Sequence, residues 1–196
     1  LFAKITGKNK DYFSKLSGSD GACSYCGGGG FIEYGSEYRI QAQIECRECN
    51  GTGFNQKLHK ITIRGKSIID VWLLTIDEAR DYFIEVDTRI SNILNKATEL
   101  LLGHLVIGQP TSTLSGGENI RLKILNAAFS NASVLGIDEP FRGLNTLEIF
   151  NVVKFLNNLT QKNKTIIVAD HEEDSFPFFS KHIELTNQDG KLVEKF

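Results

Sequence analysis

The chain has 196 residues, 22 basic and 24 acidic side chains, a formal net charge of −2 and 41% hydrophobic residues. Such values suit one large or two small globular domains and exclude global disorder. They also exclude a uniformly basic nucleic-acid binder, so any phosphate-binding surface has to be local.

The opening residues, LFAKITGKNK, have no apolar segment ahead of a small-residue cleavage site, and no apolar run in the chain reaches the roughly 18 residues of a membrane span. A cytoplasmic location without membrane contact is the expectation. Methionine is missing from the sequence, position 1 included, which suggests a piece of something longer.

Cys23 and Cys26, then Cys46 and Cys49, form C-x2-C-x19-C-x2-C. In an intracellular chain this spacing favours a metal over disulfides. Two C-x-x-C turns present four thiolates in a tetrahedron, and an all-sulfur donor set selects zinc over hard cations. Four protein ligands leave no position for a reactive water, so the metal is expected to be structural. Both knuckles fit C-x-x-C-x-G-x-G, where glycine allows the positive φ of a chain turning under a metal. Paired buried cysteines or a redox C-x-x-C are the alternatives. Between the knuckles, FIEYGSEYRIQAQIE predicts a hairpin turning at Gly35-Ser36. Arg39, Lys57, Lys60 and Lys66 belong to a basic patch fit for a phosphate backbone or, equally, for an ordinary solvated face.

Further on, Arg64-Gly65-Lys66-Ser67 has the last letters of a P-loop, but Lys60 stands where G-x-x-x-x-G-K-[ST] needs its first glycine. The tetrad is read as a turn between a strand and a helix. Thr75 and Glu78 predict a capping box at the start of TIDEARDYFIEV. Residues 87–102 predict an amphipathic helix with Ile90, Ile93, Leu94, Ala97 and Leu101 on one face.

Ser115-Gly116-Gly117-Glu118 precedes a helix of about four turns at 3.6 residues each, whose serine cap and free N–H groups make an anion site. SVLGIDEP reads as a buried parallel strand ending in Asp138 and Glu139, at the edge where ligands bind in α/β sheets. Residues 146–161 predict a helix with Ile149, Val152, Val153 and Leu156 inward. TIIVADH is a second apolar strand, ending in Asp170-His171. HIELT and KLVEKF, joined by NQDG, predict a closing hairpin. The layout is that of an α/β nucleotide-binding protein.

Taken in order, these motifs resemble the ATP-binding-cassette (ABC) ATPases. Leu114-Ser115-Gly116-Gly117-Glu118 resembles their signature, VLGIDEP their Walker B strand with its glutamate, Gly143-Leu144-Asn145 their D-loop and His171 their switch histidine. With GACSYCGGGG, the Cys46–Cys49 pair, SIIDVWLLTIDEARDYF and GQPTSTLSGGE added, the chain is similar to the second ATPase half of the UvrA family. That family supplies the damage-recognising subunit of the bacterial excinuclease. The likeness covers nearly the whole chain. It implies a partial P-loop-type parallel sheet with an inserted zinc module, cut after its P-loop, so that the isolated chain is not expected to hydrolyse ATP.

The resemblance further implies that Asp138 holds magnesium through water, Glu139 polarises the attacking water and His171 contacts the γ-phosphate. Leu114, Ser115, Gly116, Gly117, Glu118 and Asn145 are the implied nucleotide contacts, with Ser115 and the glycines reaching a γ-phosphate held by an opposite ATPase half. DNA, a second ATPase half, a second UvrA-like subunit and a UvrB-like partner are the implied partners. The chain is expected to divide into a connecting segment (1–20), the zinc module (21–56), a strand and helical signature region (57–113) and the ATPase core (114–196). Departures are local: DEPFRGLN replaces the usual DEPTTGLH, and Asn119-Ile120 replaces Ala-Gln. The C-x-x-C-x-G-x-G repeat also resembles the cysteine-rich region of DnaJ-type chaperones, and a degenerate pseudo-ATPase is a third reading.

Overall fold

A computed structural model describes residues 1–36, 39–161, 163–188 and 191–194. The chain forms two compact units, Leu1–Leu94 with His104–Pro110, and Asn95–Gly103 with Thr111–Phe196.

The first unit contains α1 (Phe2–Thr6), the antiparallel hairpin β1 (Phe31–Ser36) and β2 (Arg39–Glu45), the short pair β3 (Thr62–Ile63) and β4 (Lys66–Ser67), α2 (Ile68–Trp72) and α3 (Ile76–Ile84). Helix α4 (Thr88–Glu99) begins in it. The hairpin expected over 31–45 is present, but its turn is displaced. Ser36 pairs with Arg39 and Gly35 lies inside β1, where the register shifts after Tyr34. Gly35 therefore marks a bulge, the other common use of a strand glycine. The turn itself and the Arg39 side chain lie outside the described residues.

The Arg64-Gly65 pair turns a two-strand ladder, Ile63 opposite Lys66, before the helix begins. Their φ values of 48° and 79° fit the primed turns that join short antiparallel strands. Ser67 then caps α2 through a reciprocal box with Asp70, and Thr75 caps α3 with Glu78 as its spacing predicts. The core of this unit gathers Phe2, Phe13, Phe54, Leu58, Ile69 and Phe83. Residues on both sides of the cysteine module thus close one apolar cluster. The tetrad that resembles a P-loop is a structural turn beside it.

Helix α4 stops at Glu99, before Leu101, which takes a left-handed φ of 61°. Ile93 is 44% exposed, so only part of the expected apolar face is covered.

The second unit contains α5 (Gly116–Ala128), β5 (Val134–Asp138), α6 (Thr146–Thr160), β6 (Thr165–Ala169) and the hairpin β7 (Leu185–Gln188) with β8 (Lys191–Glu194). The expected closing hairpin is present, but its first strand is shifted: β7 takes in Asn187 and Gln188 and leaves out His182–Glu184; residues 189–190, 195 and 196 lie outside the described residues. Strands β5 and β6 are parallel and joined through α6, the connection a parallel pair requires. Ile149, Val152, Val153 and Leu156 of α6 are all buried, as expected, together with Phe155 and Leu159.

The expectation of a fully buried β5 is corrected. Leu135 is 8% exposed, but Val134 is 55% exposed and Ile167 of β6 is 60% exposed. Side chains alternate across a strand, and here one face of the pair is covered while the other, including Gly136 and Asp138, is open. Among the described helices none is long and apolar enough to cross a membrane.

Candidate metal centre and strand-end acidic site

The four cysteines meet in the first unit. All four Sγ atoms lie within 4.8 Å of one another. Cys23 and Cys46 are 3.9 Å apart, Cys26 and Cys49 3.7 Å. A tetrahedron with metal–sulfur bonds of about 2.3 Å has edges of about 3.8 Å, so the cluster is of a size to hold a single ion. These separations are far beyond a disulfide bond of about 2.05 Å, and the cysteines are free thiols.

The knuckles are interlocked. Cys23 N–H donates to the Gly53 carbonyl of the second knuckle, and Cys46 N–H to the Gly30 carbonyl of the first, both at 2.8 Å. Gly30 N–H points at Cys26 Sγ (3.2 Å) and Gly53 N–H at Cys49 Sγ (3.3 Å). A Cβ on Gly53, whose φ is 76°, would lie 2.2 Å from the Gly28 carbonyl. Glycine is therefore required both by conformation and by close approach. Burial pushes the Cys23 thiol up and the Cys49 thiol up to about 12. Burial acts the same way on Cys26, but N–H donors from Gly30 and Gly28 and bonds to its neighbouring thiols bring it down to about 7. Collecting several thiolates here needs a cation among them, which metal ligation supplies.

The second constellation lies at the carboxyl ends of β5 and β6. Asp138 pairs in register with Ala169, and Glu139 N–H extends the ladder by donating to the Ala169 carbonyl at 2.8 Å. Glu139 has a φ of 46°, a left-handed conformation uncommon for a residue with a side chain and often found at functional sites. Its Oε1 lies 3.9 Å from His171 Nδ1, and its Oε2 lies 3.4 Å from the Arg142 guanidinium. Of the three expected site residues, Glu139 and His171 approach each other, and Asp138 is the last residue of the strand that leads to Glu139.

Asp170 organises this end. Its carboxylate is 2% exposed. One oxygen accepts from His171 N–H at 2.7 Å and Glu172 N–H at 3.0 Å, the other from Phe141 N–H at 3.1 Å. Sequence reasoning took Asp170 only as part of a polar strand end; nothing in the sequence says that it bridges the two strand exits. Phe141 is fully buried and its ring centroid lies 6.2 Å from that of Phe179.

Ser115 caps α5 through a reciprocal box with Glu118, and Asn145 caps α6 with Glu148 in the same way. Ser115 and Gly116 are exposed, while Leu114, Gly117 and Glu118 are half-buried. Of the basic-patch residues, Lys57 Nζ sits 4.9 Å from the Tyr12 ring centroid, which Lys8 also approaches at 4.6 Å.

The chain matches the ABC transporter family model over residues 36–142, more than half its length, and therefore belongs to the ABC family. Within that family its homology is to UvrA, the A component of the UvrABC system. It is 30% identical to the UvrABC system protein A of Staphylococcus epidermidis over 192 residues, covering 96% of this chain and 20% of that protein. The counterpart from Malacoplasma penetrans is 33% identical over 175 residues, covering 88% of this chain and 18% of that protein. The crystal structure of UvrA2 from Deinococcus radiodurans superposes with a TM-score of 0.73 at 32% identity, over 88% of this chain and 22% of that one. The chain thus spans about a fifth of the length of these relatives. The comparisons give no support to the DnaJ-type alternative.

Proposed function

We propose that these residues form the signature, Walker B and switch-histidine part of a UvrA-like cassette in a cytoplasmic, ATP-driven protein that recognises damaged DNA. A P-loop in another segment completes the nucleotide site, since no G-x-x-x-x-G-K-[ST] run occurs in the 196 residues. The observation that carries the reading is the 3.9 Å approach of His171 Nδ1 to Glu139 Oε1 at the carboxyl end of the parallel pair, next to Asp138, the last residue of β5. Adjacent acids and a histidine at strand ends suit phosphoryl transfer, which depends on positioning and charge neutralisation.

In this reading a bound magnesium supplies charge neutralisation at the phosphates. Asp138 would be the residue to hold that ion, and Glu139 would accept a hydrogen bond from the attacking water. His171, set by Asp170 through its backbone N–H, faces the γ-phosphate. Ser115, Gly116 and Gly117 offer helix N-terminal N–H groups to a phosphate on an opposing ATPase half, with Leu114, Glu118 and Asn145 framing the contact. Cys23, Cys26, Cys46 and Cys49 would hold zinc as a structural centre. Segments 1–20, 21–56, 57–113 and 114–196 serve as connector, zinc module, signature region and ATPase core. A second UvrA-like subunit and a UvrB-like protein are the protein partners.

Fluorescence anisotropy of the whole protein with labelled duplexes tests this reading. A bulky lesion should tighten binding in a nucleotide-dependent way, and the affinity should fall steeply with salt. Binding indifferent to nucleotide and lesion would remove the DNA-repair assignment.

A further inference from the structure

Trp72 ends α2 and is half-buried. Residues 105–108 run beside it, zipped to residues 72–76 by the backbone. Ile76 N–H donates to the Leu105 carbonyl at 2.8 Å, Ile107 N–H to the Leu74 carbonyl at 2.8 Å and Gly108 N–H to the Trp72 carbonyl at 2.9 Å. A Cβ on Gly108 would collide with Trp72 Nε1, Cδ1 and Cε2. The backbone at position 108 therefore packs directly on the five-membered ring of the indole. From this segment the chain runs on to Leu114-Ser115.

Two further contacts of the indole lead to the cysteine module. Phe54, which follows Gly53 of the second knuckle, meets it edge-on, with ring centroids 5.4 Å apart and an interplanar angle of 82°. Lys15 Nζ sits 4.6 Å from the ring centroid, within reach of a cation–π contact. Lys15 in turn lies against both knuckles. A Cβ on Gly28 would run into its carbonyl, and a Cβ on Gly53 would stand 3.4 Å from its Cδ. Chains of packed side chains are one means by which separated places are coupled.

We propose that Trp72 is a positioning residue: gripped by Lys15 and Phe54 against the cysteine knuckles, its indole sets the path of residues 105–108, the segment that precedes the signature sequence. Order in the cysteine module is thereby passed to that segment. A phenyl ring at position 72 keeps an aromatic group there but lacks the five-membered ring on which Gly108 packs. The dependence on metal rests on the zinc reading given above; the path from Lys15 through Trp72 to Gly108 does not.

Amide hydrogen exchange on the full chain reads the coupling. Lys15→Met, which keeps an unbranched stem and removes the charge, should raise exchange at Ile107 and Gly108 by roughly threefold or more, while Phe83 in α3 keeps its protection. Trp72→Phe should raise exchange at the same two amides, and Lys15→Met added to it should have no further effect there. Stripping zinc with a chelator should also loosen Ile107 and Gly108, and Trp72→Phe should shrink that rise to less than half. A merely structural tryptophan would instead speed exchange at Phe83 as much as at Gly108 and leave the effect of Lys15→Met additive. Should the chain bind no zinc, the zinc reading fails and the Lys15→Met comparison still decides; should Trp72→Phe fail to fold, Lys15→Met alone decides. Exchange at Ile107 and Gly108 that ignores Lys15→Met, or an effect of Lys15→Met undiminished by Trp72→Phe, would overturn the proposal.

Discussion

His171 Nδ1 lies 3.9 Å from Glu139 Oε1, although a whole helix and a strand separate the two residues in sequence. The buried Asp170 carboxylate brings them together, accepting from Phe141 N–H on one strand exit and from His171 N–H on the other. Asp170→Ala should remove the acceptor shared by these partly exposed backbone donors, at a cost of roughly 1–2 kcal/mol. Urea unfolding of the second unit checks this. A change within 0.5 kcal/mol would mean that water replaces the carboxylate without loss.

Phe141 and Arg142 are adjacent departures from the family pattern with opposite consequences for stability. Phe141 is fully buried against Phe179, and Phe141→Ala should cost about 3–5 kcal/mol. The Arg142 side chain is 72% exposed, and its 3.4 Å approach to Glu139 is a surface ion pair. Arg142→Ala should therefore change stability by less than about 1 kcal/mol. Thermal melts of both variants provide the comparison.

For the cysteine cluster, native mass spectrometry should find one zinc per chain. Cys49→Ser should lose it, since Cys49 is fully buried and Gly53 N–H points at its sulfur. Because metal binding and folding are linked, with apparent energies of about 10–16 kcal/mol in zinc-finger peptides, a strong chelator should unfold residues 21–56 cooperatively. Full occupancy after Cys49→Ser would contradict four-thiolate ligation.

Acid stability should report Asp70. Hydrogen bonds from the Ser67 hydroxyl and backbone N–H hold its carboxyl below the ordinary range. A depressed folded-state pKa stabilises the fold above the unfolded value of about 3.9, and the contribution fades as pH falls through the lower folded value. Ser67→Ala should reduce stability at neutral pH and flatten its acid dependence, as followed by melting temperature from pH 6 to 2.

Local chemistry was the most legible part of the sequence. Thr75–Glu78 and Ser115–Glu118 announce their helix starts because a capping box is written within four residues. The C-x-x-C spacings likewise announce a cluster, since each turn fixes two thiols. What escaped depends on neighbours distant in sequence. Gly35 serves equally well in a turn or a bulge, and only the partner strand decides between them. An apolar run such as VLGID does not state how many faces are covered, so the exposure of Val134 was hidden. Asp170 gives no sign that it ties two strand exits together.

The most direct test is steady-state ATP hydrolysis by the whole protein that carries these residues, with and without Glu139→Gln. The substitution preserves shape and removes the charge proposed to order the attacking water. The account predicts a loss of at least roughly 100-fold in kcat with ATP binding retained. Hydrolysis unchanged by Glu139→Gln would contradict the assignment of this strand end as a nucleotide-hydrolysing site.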